Sequence, residues 1–442
     1  MKNTLSPIPL LASLLFIGPI WAQLPPQHQA WAQADVFSEI DVLGVAPQVD
    51  SIINNGIKAM AFPGAQVLVA QGDEVLFHKA YGHHTYDSMQ TTALNDLYDL
   101  ASVTKITAPL PALMKLVETG KLDLDEPFSS YWKPWKRRKD KKDLTLREIL
   151  AHQAGLTPYI VFLNEVIKKN GRPKARFIQN KKTKRFQQQA YPGIYVKNNF
   201  RKKMHRKINR SKVAGDKKYR YSGLTFLIFP ELIGNLTGMP YEQYLEERFY
   251  QPIGAHTLGF LPATKNFPNN IVPTEVDTLF RQALTQAWVH DENASLMGGI
   301  SGNAGLFGTA NDLHRIMQLF VQMGRFGEEQ LLDSAVVREF TTVQFPKNEN
   351  RRGLGFDKPL LDNNTQSVHE AYPAPGASME SFGHSGFTGT FVWADPKNQL
   401  IYVFLSNRVH PSREHRALYG LNIRTRVQQV FYAALNSRNN NE

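Results

Sequence analysis

The chain has 442 residues, 42% hydrophobic and 20% charged, a balance that belongs to a folded globular protein and excludes an intrinsically disordered one. It contains no cysteine, which excludes disulfides, thiolate nucleophiles, Cys-ligated zinc and iron–sulfur clusters. The formal net charge of +12 is concentrated: residues 165–220 hold 20 Lys/Arg against only Glu165 and Asp216, a surplus of +18, which leaves the rest of the chain acidic at −6.

In chain order, the first 22 residues carry the marks of a secretory signal: Lys2 as a thin basic start, an apolar run over 8–17, a Gly18-Pro19 break, and Ala22 before a cleavage point at Gln23. Pro7, Pro9 and Pro19 argue against a buried N-terminal helix. No apolar run reaches the ~18 residues of a membrane span, and no cysteine is present for lipid attachment. The mature protein is therefore expected to be soluble, periplasmic or secreted, with one folded domain over 34–436.

The apolar spacing of 34–60 predicts a helix, ended by a turn at Pro63-Gly64. Residues 66–70 and 74–80 alternate around Gly72-Asp73 and predict a hairpin. Residues 390–394 and 400–405 predict a second hairpin around 395–398, and 412–435 a final helix. Strands near both ends with helical sequence between them imply an α+β fold: one antiparallel sheet built from the two chain ends, and a largely helical lobe from the middle. The basic segment 165–220 has weak apolar periodicity and predicts a solvated loop or long arm. Its charge suits an anionic cell-wall polymer or membrane surface. No zinc-finger or helix-turn-helix spacing supports nucleic acid as a partner. A shorter basic run extends from Lys133 to Lys142.

Three patterns carry chemistry. Ser102-Val103-Thr104-Lys105 places a serine and a lysine three apart, on one face of a helix. An apolar stretch with Leu110, Leu113, Met114 and Leu116 follows, so the serine would sit at a buried helix start, where backbone N–H groups favour negative charge. A serine hydroxyl is a poor nucleophile until its proton is removed, and a neighbouring lysine helps by electrostatics or as a base. Pro109 fits a first turn, whereas Pro111 is expected to kink the helix. Ser130 and Lys133 repeat the spacing, but Pro134 and a charge run follow, with no apolar helix to bury the pair. The second pattern is Tyr221-Ser222-Gly223, ahead of an apolar helix broken at Gly238-Met239-Pro240. The third, His384-Ser385-Gly386-Phe387-Thr388-Gly389-Thr390, opens the C-terminal hairpin with small residues that let backbone N–H groups approach a ligand closely, as an oxyanion donor must. His83-His84 has no metal-ligand spacing and reads as a surface pair. No P-loop or dinucleotide fingerprint occurs, and no cofactor or metal is expected.

The three patterns, in this order and with this wide spacing, resemble those of the serine β-lactamase and penicillin-binding protein superfamily, above all its class C β-lactamase-like branch of DD-peptidases, D-amino-acid-type peptidases and esterases. The resemblance runs from about residue 45 to 436, with supporting stretches at 122–127, 149–156 and 298–307. It implies a five-stranded antiparallel sheet flanked by helices, beside a helical region, with the site between them. It further implies that Ser102 attacks a carbonyl, that Lys105 helps remove its proton, and that Tyr221 acts as general base and then donates to the leaving group. The N–H groups of Ser102 and Phe387 would form the oxyanion hole; His384, Ser385 and Gly386 would contact substrate. A free tyrosine, with a pKa of ~10, is a poor base at pH 7, and Lys105 is the expected source of the positive charge it needs.

Two departures stand out. Gly223 replaces the asparagine of the second motif, and His384 replaces the lysine of the third, so a fixed charge becomes a titratable one. Both lower the expectation of efficient β-lactam hydrolysis. With the ordinary histidine pKa of ~6.5, a carboxylate-bearing substrate is expected to bind better at pH 6 than at pH 8. His152 reads as a structural or substrate-side histidine, and Asn303 as a turn or pocket residue. The expected protein is a monomeric secreted serine hydrolase. It would work through a Ser102 acyl-enzyme on small amides or esters, D-amino-acid peptides of peptidoglycan type leading. The alternatives are a true class C-type β-lactamase and a non-catalytic penicillin-binding receptor.

Overall fold

A computed structural model describes residues 36–37, 44–265, 267 and 269–439; the signal segment over 1–22 lies outside them. The chain starts with a short strand β1 (Val36–Phe37) and helix α1 (Val45–Lys58), then the hairpin β2 (Gly64–Gln71) and β3 (Glu74–Gly82). The helix predicted over 34–60 thus begins later, and an edge strand precedes it. At the other end lie β4 (Phe382–Ser385), β5 (Phe391–Asp395) and β6 (Leu400–Ser406), followed by a long helix, Ile423–Asn439. The final helix predicted over 412–435 is in two pieces, a single turn at Ala417–Gly420 preceding the long one. The order β1-β3-β2-β6-β5-β4 is antiparallel throughout. Five main strands and a two-residue edge form one sheet, and the two chain ends meet where Val67 pairs Phe404 and Leu68 pairs Val403.

Alternation along these strands divides two cores. Val67, Val69, Trp393, Tyr402 and Phe404 face α1 and the C-terminal helix, where Val49, Ile53, Val427 and Phe431 cover them. Leu68, Ala70, Val392, Ile401 and Val403 face the opposite way, into the larger core of the helical lobe, which includes Leu313, Ile316 and Phe320 from the helix Ala310–Val321. The active-site elements lie at the junction of lobe and sheet.

The basic segment is not a solvated arm. It folds as three short antiparallel strands, Ile178–Gln179, Ile194–Val196 and Gln188–Tyr191, followed by the helix Phe200–Arg210. Ile178, Ala190, Val196, Phe200, Met204 and Ile208 are buried in the main core. Along the helix these apolar positions recur at 200, 204 and 208, a stripe that anchors it while its other faces carry cations.

Candidate active site

Ser102 lies in a single 3₁₀ turn, Ala101–Val103, that runs directly into a short helix α2 (Thr104–Thr107). Ala101 has φ +45°, a left-handed conformation costly for a residue with a side chain. Buried Asp99 holds it there: one carboxylate oxygen accepts the Ala101 N–H at 2.8 Å and the other the His290 N–H at 2.6 Å. Burial pushes the Asp99 carboxyl above the ordinary carboxylate range despite those two bonds. The expected kink at Pro111 does not occur. The helix instead breaks at Ala108, immediately before Pro109, and both prolines fall in the first turn of a new helix α3 (Pro109–Glu118). A residue preceding proline is driven out of the helical region, and first-turn N–H groups have no intrahelical partner to lose.

Lys105 is buried one turn after Ser102. Its Nζ donates to Ser102 Oγ at 2.8 Å and to the Asn303 carbonyl at 2.9 Å. Asn303 therefore positions the lysine through its backbone, while its side chain is fixed by Ser301 at 2.7 Å and Asp291 at 3.1 Å. The same Nζ stands 5.5 Å from the centre of the Tyr221 ring. A Cβ at Gly223 would lie 3.9 Å from Lys105 Cε, so the glycine leaves open space on that side of the lysine. Ser130, the competing serine, is exposed, as is Lys133.

Tyr221 is enclosed by rings and charge. His152 lies 4.5 Å from it and His384 6.2 Å, centre to centre, and Arg352 Cζ is 5.8 Å from its ring centre. His152 adopts a left-handed φ of +55°. Its Nδ1 accepts the Ser222 N–H at 3.3 Å, and Ser222 Oγ donates to the Thr157 carbonyl at 2.7 Å, which pins the second motif to the His152 loop. His384 Nδ1 donates to the Ser385 carbonyl at 2.8 Å. Both histidines are buried and neutral. Burial first, then Arg352, lowers His384 to about 3 and His152 well below the ordinary histidine value. This burial runs against the expectation that His384 loses charge between pH 6 and 8.

The third motif is clamped against the nucleophile turn. Gly386 N–H donates to the Thr390 carbonyl at 2.8 Å, Thr390 Oγ1 to the Leu100 carbonyl at 3.2 Å, and Thr388 Oγ1 to the Asp99 carbonyl at 2.8 Å. A Cβ on Gly386 would lie 2.0 Å from Thr390 Oγ1 and 2.7 Å from the Leu100 oxygen; only glycine permits this approach. Phe387 follows, half exposed, its ring stacked on His290 at 5.7 Å and 25° and covered by the Arg408 guanidinium. His84, read from sequence as a surface residue, is buried, its Nε2 2.6 Å from Asp96 Oδ2. Among the described residues no cluster of ligating side chains could hold a metal.

Arg352, Asp357 and Asp99 escaped the sequence reading. Arg351-Arg352 looks like a solvated charged pair, and only the flanking Gly353-Leu354-Gly355-Phe356 hints that this stretch packs inside.

A serine and a lysine in hydrogen-bond contact, a tyrosine against the lysine, and a glycine-lined strand edge beside them define a serine hydrolase of the β-lactamase and penicillin-binding protein fold. A family model described as Beta-lactamase matches residues 49–424, and the chain belongs to that family. It is 29% identical over 394 residues to a protein of Escherichia coli O157:H7 named "Putative D-alanyl-D-alanine carboxypeptidase", and 31% identical over 387 residues to one of the same name from Salmonella agona (strain SL483), in each case over 82% of both chains. Among solved structures it shares the fold of EstCE1, a hydrolase with promiscuous acyltransferase activity (TM-score 0.62, 18% identity, 88% of this chain and 100% of that one). It also shares that of a penicillin-binding protein homologue from Caulobacter crescentus (TM-score 0.62, 17% identity, 91% and 99%).

Proposed function

We propose that the protein is an exported acyl-transfer hydrolase using Ser102 as nucleophile, with D-amino-acid peptides of peptidoglycan type as leading substrates and small esters as the second class. The 2.8 Å contact between Lys105 Nζ and Ser102 Oγ, with Tyr221 against the same ammonium, carries this reading. Ser102 Oγ attacks the carbonyl carbon as its proton passes to the Tyr221 phenolate. The oxyanion is received by the Ser102 and Phe387 N–H groups. Collapse breaks the C–N or C–O bond, and Tyr221 returns the proton to the leaving group. Water then attacks the acyl-enzyme, giving one proton to Tyr221, which passes it to Ser102 Oγ as the acyl C–O bond breaks; the acid is released and the Ser102 hydroxyl and Tyr221 phenolate are restored. The carboxypeptidase name of the relatives favours the peptide. Open space at Gly223 and a neutral His384 weigh against efficient β-lactam turnover. Export rests on the signal pattern in residues 1–22.

A fluorophosphonate or penicillin-type probe should add mass at Ser102, and one D-Ala-D-Ala peptide, one chromogenic ester and one cephalosporin should rank the substrates. Ser102→Ala should lose both labelling and turnover, and folded Tyr221→Phe should lose on the order of 10²–10⁴ in rate. Labelling that persists in Ser102→Ala and vanishes in Ser130→Ala would move the nucleophile to Ser130. Stoichiometric acylation without turnover of any substrate would favour a penicillin-binding receptor.

The proposal extends to a basic face that holds the enzyme near an anionic cell-wall or membrane surface. It is supported by the meeting of the two basic runs. The Trp132 and Trp135 indoles both donate to Asn209 Oδ1, at 2.8 and 2.9 Å, and Lys141 donates to the Ser211 carbonyl. These bonds bring exposed Lys136, Arg137 and Lys139 beside the helix that exposes Lys202, Arg206 and Arg210.

A further inference from the structure

A tyrosine that accepts a proton at neutral pH needs positive charge close to it. Lys105 supplies one, but its Nζ is already engaged by Ser102 Oγ and the Asn303 carbonyl. The two imidazoles that enclose Tyr221 supply none, since burial keeps both His152 and His384 neutral. Among the described residues one further permanent cation faces the ring: Arg352, 2% exposed, its Cζ 5.8 Å from the ring centre.

Arg352 is built in from three sides. Asn350 Nδ2 donates to the Ala151 carbonyl at 2.9 Å and to Gln153 Oε1 at 2.7 Å, tying this loop to both neighbours of His152 in the chain. Asn350 Oδ1 accepts the Arg352 N–H at 2.9 Å. Asp357 exchanges backbone hydrogen bonds with Gly383, at 2.8 and 3.0 Å, directly beside His384. The guanidinium is held between these anchors, Nη2 donating to the Gly355 carbonyl at 3.0 Å and Nη1 2.9 Å from Asp357 Oδ1. Arg351 Nη1 is 2.7 Å from the same carboxylate oxygen. Two guanidinium groups thus share one carboxylate, Arg352 from the buried side and Arg351 from the partly exposed side, and the three together keep one net positive charge. Burying such a group is expensive, and an apolar side chain would fill the volume without that cost.

We infer that Arg352 is the positioning residue that supplies a fixed positive charge beside the Tyr221 ring and so stabilises its phenolate form. The inference rests on Tyr221 acting as the general base. Arg352 acts through the ring and touches no reacting atom. Asp357, pinned by two arginines and the Gly383 backbone, fixes where that charge sits.

The test is the acid limb of kcat/KM against pH for a neutral ester in wild type, Arg352→Met and Arg352→Lys, each checked for folding by circular dichroism. Removing the cation makes the phenolate harder to form, so the acid limb should move to higher pH in Arg352→Met, by on the order of 1–2 pH units for a charge about 6 Å away. Activity at pH 7 should fall roughly 10- to 100-fold and recover at high pH, while Arg352→Lys should hold its limb near that of wild type. Arg352→Gln, which keeps a donor for the Gly355 carbonyl and leaves Asp357 paired with Arg351, replaces the Met variant if that does not fold; it removes the same charge, and the same shift is expected. An unmoved limb in a folded charge-removing variant, or equal losses in the Met and Lys variants with no change of profile, overturns the inference. Tyr221→Phe separates the two levels: full activity there removes the base itself, whereas a dead Tyr221→Phe with an unmoved Arg352→Met limb removes only the role of Arg352.

Discussion

A neutral imidazole at position 384 changes what the site offers an anionic substrate. With burial holding His384 at about 3, its protonated fraction is negligible at both pH 6 and pH 8. The KM of a carboxylate-bearing peptide should then change with pH across that range no more than the KM of a neutral ester. Steady-state assays of both substrates check this, with His384→Gln as control. A preference for pH 6 specific to the carboxylate substrate, and abolished in His384→Gln, would show that the histidine charges in the complex. At this scale the sequence is legible where local geometry carries the message. Ser102 and Lys105 meet because three residues make nearly one helical turn. Arg352 is illegible because it reaches the site from a distant loop, with no spacing that links it to Ser102; Asp99 is only three residues before Ser102, but nothing in the sequence shows that its carboxylate is buried and shared between the Ala101 and His290 N–H groups. The charge state of His384 was equally hidden, since burial sets it and composition does not report burial.

Among the elements, proline and glycine do the punctuation. Pro109 and Pro111 look like an interruption when α2 and α3 are read as one helix; with the break at Ala108 they become first-turn residues of the second. The two hairpins were legible from alternation and turn residues, while the strands within 165–220 were not. Each is two to four residues long, too short for a period to show, and runs of lysine and arginine between them mask the few apolar anchors. Gly386 is the element-scale residue with the sharpest consequence, because its missing side chain lets the third motif lie against the Leu100 carbonyl. Gly386→Ala should push strand edge and nucleophile turn apart. A displacement of about 1 Å can cost on the order of 10² in rate, so kcat/KM on any accepted substrate should fall by roughly that factor in a variant that still folds. Wild-type kinetics in Gly386→Ala would mean that the loop yields and the clamp is not required.

Taken whole, the molecule sets an acidic remainder against one basic lobe. The topology of a sheet closed by the two chain ends was legible because hairpins at both ends had nowhere else to pair. Nothing in the sequence indicated that the runs over 133–142 and 165–220 lie side by side; two indoles and one asparagine join them. Lys202, Arg206 and Arg210 follow each other at intervals of four, one face of a helix whose apolar face is buried. Glu165, one of only two acids in the segment, is engaged by Lys203 at 2.7 Å and by Lys207, and it leaves that face unneutralised. Each cation near an anionic bilayer contributes about 1 kcal/mol. Replacing Lys136, Lys202, Arg206 and Arg210 with glutamine should therefore weaken adsorption to phosphatidylglycerol vesicles by two orders of magnitude or more at ~0.1 M salt. Wild-type adsorption should itself decline as salt rises toward ~0.5 M, where screening shortens the reach of these charges, and should be weak on phosphatidylcholine. Hydrolysis of a soluble ester should stay at the wild-type rate in the fourfold variant, because these side chains lie on the lobe surface and none belongs to the Ser102 site. Co-sedimentation and the ester assay on the same preparations check both halves, and equal adsorption by variant and wild type would remove the basic face from any role in surface binding.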